Sequence, residues 1–243
     1  MRAIVAAVTV MLVGCRAKEA TPATSPEAST AVSTPASVPS AADATTTGAA
    51  PQTWSFDADK AGEAPAGFSF GRTGEGREGT WVVRAEPGAP SGANVLAQTD
   101  ADTTDDRFPV AFANEPVLKD LELSVRCKPI SGKVDQACGM VFRLRDAKNY
   151  YLTRANALED NVRFYTVKEG RRQQLASFSG KVTSGAWHDY RVVAQGDHFE
   201  IWWDGKKILD HHDKTFTEAG KVGVWTKADS VTYFDDLRVK ASP

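Results

Sequence analysis

The sequence predicts an all-β fold, an antiparallel sandwich or barrel, and three observations carry that prediction. Short apolar runs alternate with polar residues at a period of two. Gly, Pro, Asp and Asn separate the runs at close, regular spacing. No segment sustains a helical period over three turns.

In chain order, the folded part opens with a short strand over 54–56, a Gly/Pro loop, and a second apolar point at Phe68 and Phe70. Strands then follow near 80–84, 94–98, 108–113, 121–129, 137–145, 150–156, 162–167, 173–178, 187–194, 198–204, 206–209, 222–226 and 231–239. A short helical turn near Asp120 or within 113–118 is compatible with this pattern. The clearest local unit runs from Trp187 to Leu209, where two alternating strands flank Gln195, Gly196 and Asp197. The second of them meets a third across Asp204 and Gly205, a pair suited to type I′ turns because both central residues tolerate positive φ. This is a three-strand meander, with Phe199, Ile201 and Trp203 on one face and Glu200, Trp202 and Asp204 on the other.

The stretch from Asn149 to Arg172 is placed at the centre of a sheet. Side chains alternate along a strand, so Tyr150, Leu152, Arg154 and Asn156 share one face and Tyr151, Thr153, Ala155 and Ala157 the other. In the next run Asn161, Arg163, Tyr165 and Val167 separate from Val162, Phe164 and Thr166. One face suits packing; the other carries groups able to grip a ligand or simply to keep an outer surface soluble.

Residues 1–14 read as a signal peptide, with Arg2 before an apolar run too short to span a bilayer. The run ends at Leu12, Val13, Gly14 and Cys15, which resembles the bacterial lipoprotein processing box, implying acylation of Cys15. Arg16 and Ala17 follow, without the acidic residue of an inner-membrane retention signal, so the outer membrane of the cell envelope is implied. The lipid is the only membrane contact expected. Residues 16–52 are dominated by Ala, Thr, Ser and Pro and cannot bury enough surface to fold. As a tether they reach about 35 Å. One domain over 53–243 is left.

Export to an oxidising compartment leaves Cys127 and Cys138 as a disulfide pair. Pairing 121–128 with 137–145 as a hairpin puts both cysteines on the core side. The net charge of −2 offers no field for phosphates, so nucleic acid is not expected as a partner.

The meander and the closing run 220–239, with Phe234, Asp235, Asp236 and Leu237, resemble the concanavalin A-like lectin and glucanase superfamily. Within it, the span from Trp54 to Val239, and 146–172 above all, resembles the bacterial group named for 3-keto-disaccharide hydrolases. The resemblance implies a two-sheet jelly roll whose concave face takes carbohydrate, or a hydrolase of 3-keto-glycosides or related sugar bonds. A non-catalytic protein-binding envelope module is a third class.

Glucanases of this fold carry a Glu-x-Asp-x-x-Glu run, and nothing here matches it: Glu122 stands alone, and Trp202 occupies the middle position between Glu200 and Asp204. Glu159 and Asp160, between the two central strands, are the remaining catalytic candidates. For binding, if Leu123, Val125, Met140, Phe142, Leu144, Val162 and Phe164 face the core, then Arg126, Arg143, Arg145, Arg154, Asn156, Arg163 and Tyr165 gather on the opposite face. Trp225, Lys227 and Asp229 extend it. No cofactor is expected, with one reservation: Asp57 and Asp235, near chain ends that adjoin in a jelly roll, are candidates for a structural calcium. The adjacent His211 and His212 point apart on a strand and are assigned no metal.

Overall fold

The computed structural model describes residues 50–242, so the signal peptide, Cys15 and most of the tether lie outside the described residues. Fifteen strands follow in order: β1 Gln52–Trp54, β2 Phe68–Gly74, β3 Trp81–Ala85, β4 Asn94–Gln98, β5 Arg107–Ala113, β6 Leu121–Ser131, β7 Ala137–Asp146, β8 Asn149–Asn156, β9 Asn161–Lys168, β10 Arg171–Ser179, β11 His188–Gln195, β12 His198–Trp203, β13 Lys206–His212, β14 Lys221–Trp225 and β15 Val231–Ala241. No helix forms among the described residues. The helical turn expected near 113–120 is replaced by a bend and an isolated bridge from Leu118 to Gly220, since residues there pair across the chain rather than locally.

The strands form two antiparallel sheets. The first has the order β13-β12-β11-β6-β15-β4-β3, with β1 added beside β15; the second has the order β10-β9-β8-β7-β14-β5-β2. Each sheet turns one face inward, and Leu121, Leu123, Val125, Tyr190, Phe199, Ile201 and Phe234 of the first meet Met140, Phe142, Tyr151, Phe164 and Val224 of the second in one core. The meander forms as expected, with Asp204 and Gly205 at φ of 46° and 78° in its tight turn.

Two expectations about the cysteine strands change. Cys127 and Cys138 are disulfide-bonded and fully buried, but β6 and β7 lie in different sheets, so the bond crosses the sandwich rather than a hairpin. A chain that reverses direction between 131 and 137 can close a hairpin or change layers, and alternation looks identical in both cases. Leu144 also leaves the main core. Arg143, at φ 46°, sits where β7 carries one residue more than β14, between the pairs Val141↔Gly223 and Leu144↔Lys221. This bulge turns Arg143 inward and Leu144 outward.

The second sheet has an apolar outer face of its own, where Phe108, Val110, Val141, Leu144, Tyr150, Leu152, Tyr165, Val167 and Trp225 are buried together. The sheet curls over that face. Strands β10 and β5 are five positions apart, about 24 Å in a flat sheet, yet the Arg172 guanidinium of β10 lies 4.6 Å from the centre of the Phe108 ring of β5. The outer face of the second sheet is therefore concave.

Candidate functional site

The concave face is built by cross-strand register. Asn156 pairs with Asn161, Arg154 with Arg163, Leu152 with Tyr165 and Tyr150 with Val167. All eight side chains share one face because no bulge interrupts this pair, and the alternation read from the sequence holds residue by residue.

Arg154 is the centre of the polar part. It is 2% exposed and donates from Nη1 to Asn161 Oδ1 at 2.9 Å and from Nη2 to Glu159 Oε2 at 2.9 Å, while its Nε has no acceptor among the described residues. Arg163, a third exposed, lies 3.3 Å from the same Glu159 oxygen, and its Nε is also without an acceptor among the described residues. The Tyr165 ring lies between two guanidinium groups, Arg154 at 6.0 Å and Arg172 at 4.9 Å. At the far end of the groove Phe108, Arg172 and Gly170 line a cavity of about 430 Å³.

Two carboxyls border this array. Burial would raise the Glu159 carboxyl, but hydrogen bonds from Arg154 and Asn161 outweigh it and hold the group at about 2. Asp135, 1% exposed, behaves oppositely: burial keeps its carboxyl above the ordinary range despite Lys227 and Arg154. Its Oδ1 accepts from Asn156 Nδ2 at 2.8 Å and its Oδ2 lies 3.1 Å from Lys227 Nζ. Lys227 also holds Asp105. Sequence reasoning missed Asp135, because it stands in a Gly/Lys loop with no periodicity to place it.

The other expected site residues fall in different places. Asp160 turns away from Glu159: its side chain takes the Val182 N–H at 3.1 Å and Lys181 at 3.2 Å, so the two acids form no dyad. Trp225 is on the concave face but fully buried, stacked on Phe108 at 5.5 Å, so it packs the floor rather than offering a free ring. Asn156 is equally buried, and its Oδ1 caps the turn by accepting from Leu158 N at 2.8 Å. Asp229 accepts three backbone N–H groups from Lys133 to Asp135 and thereby shapes the loop that carries Asp135.

Arg143 and Arg126 do not join the array. Arg143 points into one end of the core, where it donates to the carbonyls of Lys119, Phe216 and Gly196 at 2.9, 2.8 and 2.7 Å. Arg145 lies beside Phe216, 5.5 Å from that ring. Arg126 faces outward as expected, but from the first sheet, on the opposite side of the molecule. There it pairs with Asp189 at 3.0 Å, its Nε again without an acceptor among the described residues, beside Arg191 and Trp202 in a cavity of about 400 Å³. The candidate calcium ligands are engaged by N–H donors. Asp57 Oδ1 accepts from Ala93 and Asn94 at 2.8 and 3.0 Å, and Asp235 accepts from Ser91 and Asp236 at 2.9 and 2.7 Å. Both thus pin the loop between β3 and β4. Burial pushes the Asp235 carboxyl up to about 6.

Comparison with known proteins agrees with this architecture. Levanase of Bacillus subtilis (strain 168) is 33% identical over 104 residues, 42% of this chain and 15% of levanase. The chain thus spans a small part of that relative's length. Among solved structures, a carbohydrate binding module, CBM66 from Bacillus subtilis, superposes with a TM-score of 0.56 at 22% identity, covering 72% of this chain and 96% of that one. Domain 4 of AbnA, a GH43 extracellular arabinanase from Geobacillus stearothermophilus in complex with arabinotriose, gives 0.51 at 12% identity, covering 78% and 91%. These likenesses show a shared jelly-roll fold. The family described as the 3-keto-alpha-glucoside-1,2-lyase-like domain matches residues 79–240, the whole run from the β3 strand to the end of the sandwich, and the chain belongs to that family.

Proposed function

We propose that this domain binds carbohydrate in the concave face of its second sheet and is held on the bacterial envelope by lipid at Cys15. The observation that carries the binding reading is the Arg154, Glu159 and Arg163 array: Arg154 is 2% exposed and set against Tyr165 and Glu159, and Arg163 is a third exposed on the same carboxylate. The Arg154 donors to Asn161 and Glu159 fix that carboxylate beside Arg163, whose third-exposed guanidinium is the group a sugar hydroxyl can reach. Arg163 and Tyr165 beside it provide a planar donor and an aromatic edge. The carbohydrate-binding module and the arabinotriose complex on the same fold support the ligand class. A glycan panel probed with the full chain tests this, with isothermal titration of each hit. Loss of affinity in Arg163→Ala is expected, and a hit whose affinity is unchanged in that variant removes the concave face from the reading. Membrane fractionation of Cys15→Ser tests the anchor: the variant should leave the membrane fraction.

A second reading, catalysis on a 3-keto-glycoside or a related sugar bond, rests on Asp135 and Glu159. Their environments push the two carboxyls apart, Asp135 upward by burial and Glu159 down to about 2, which is how an acid and a base are separated on one fold. The family's name supports the substrate class. Product analysis on 3-keto-glycosides separates the readings: turnover abolished in Asp135→Asn with binding retained favours the enzyme, and binding without product favours the module.

A further inference from the structure

The edge of the first sheet holds a group of side chains that the carbohydrate reading does not use. Strands β12 and β13 pair so that His198 lies directly opposite His212, which places both rings on one face, and Asp210, two residues before His212, shares that face. The two rings stack with centroids 4.7 Å apart. One ligand atom from each of His198, Asp210 and His212 lies within 4.8 Å of the other two. His211 points to the other side, its ring 5.9 Å from Phe164, so the adjacent histidines do not act together; the chelating partners come from across the strand pair.

We propose that His198, Asp210 and His212 form a zinc site on this edge. Imidazole and carboxylate are the donor set zinc takes, and ligand atoms around a tetrahedral ion at about 2.0–2.1 Å stand roughly 3.3 Å apart, a separation that small side-chain rotations reach from the present arrangement. Calcium is unsuited, because it takes six or more oxygen ligands. The outer contacts orient the set. Asp210 Oδ1 lies 2.7 Å from His198 Nε2, so two candidate ligand atoms already stand side by side, while Asp210 Oδ2 accepts from Lys207 at 2.8 Å. His212 Nδ1 lies 3.4 Å from Asp197 Oδ1, the carboxylate-histidine arrangement that leaves Nε2 for an ion. Local charge also permits a cation: Asp197, Glu200 and Asp210 face Lys207 and Lys214, three carboxylates against two ammonium groups. Side-chain exposures of 35%, 48% and 65% leave the fourth position open to solvent or to a carboxylate from outside. The ion would cross-link β12 to β13 at the end of the sheet and cover an edge strand.

The test is titration of the full chain, purified without a histidine tag, with zinc chloride by calorimetry and by melting. Expected are about one zinc per chain and a higher melting midpoint in its presence. His198→Ala, His212→Ala and the shape-preserving Asp210→Asn should each weaken binding by more than about tenfold, while His211→Ala should keep the affinity. Calcium chloride should give no heat that depends on these residues. Zinc binding that persists unchanged in the His198→Ala/His212→Ala double variant, or an absence of binding by the unsubstituted chain, would overturn the proposal.

Discussion

The two outward faces of the sandwich carry similar side chains in different surroundings. On the first sheet Arg126 and Arg191 are about a third exposed, Arg126 paired with Asp189 at 3.0 Å and Arg191 lying 4.1 Å over Trp202. On the second sheet Arg154 has the same chemistry at 2% exposure above a buried aromatic cluster. Water screens the first set, so its geometry carries little energy. The second set is removed from water and depends on partners being present. Burial of Arg154, rather than the number of arginines, is what distinguishes the concave face from the first sheet's outer face.

The most forceful way to break that contrast is truncation. Arg154→Ala leaves Glu159 and Asn161 without their buried donor and should cost about 3 kcal/mol in denaturant unfolding, whereas Arg126→Ala should cost under about 1 kcal/mol. Equal losses would erase the distinction between the faces. Next in size is the covalent tie between the sheets. Replacing Cys127 and Cys138 together with alanine should lower stability by about 2–3 kcal/mol without changing which residues line the groove, as unfolding curves and retained glycan affinity would show. Then comes ligand binding: Arg163→Ala should weaken an established glycan by about tenfold, near 1.4 kcal/mol, and Arg191→Ala should leave it unchanged. A drop in the second variant alone would move the site to the first sheet.

The smallest expected effect concerns pH. Glu159 is held near 2 when folded, below its ordinary 4.5, so its contribution is complete above about pH 4.5 and is lost as pH falls toward 2. Asp235 is raised to about 6, so its contribution runs the other way: present at acid pH and lost as pH rises from about 4 through 6. Melting midpoints of the unsubstituted chain and Glu159→Gln should therefore converge as pH falls from 5 to 2. A constant gap would mean that the Arg154 and Asn161 contacts do not hold the carboxylate.

Much of this was legible in the sequence, and the omissions have physical causes. Alternation placed Tyr150 to Asn156 and Asn161 to Val167 on their faces because the two strands pair without a bulge. It failed at Arg143 and Leu144, where an extra residue in β7 reverses the count. Alternation also assigns a side chain to the inside or outside of its own strand but not to a sheet. Arg126 and Arg163 both read as outward, and they are, on opposite sides of the molecule. The meander was readable from Asp204 and Gly205, whereas the grouping of His198 with His212 was not, because it depends on register between strands rather than on neighbours along one.

The bulge at Arg143 has a kinetic consequence. Its guanidinium joins carbonyls that lie 24, 73 and 53 residues away along the chain, so the junction is complete only when three distant segments have arrived. We predict that this junction forms after the transition state, once the strands that create the pocket for it are in place. Weakening the junction, as in Arg143→Met, should accelerate unfolding and leave the refolding rate nearly unchanged. One surplus residue in β7 would then govern how long the native sandwich persists rather than how quickly it is reached.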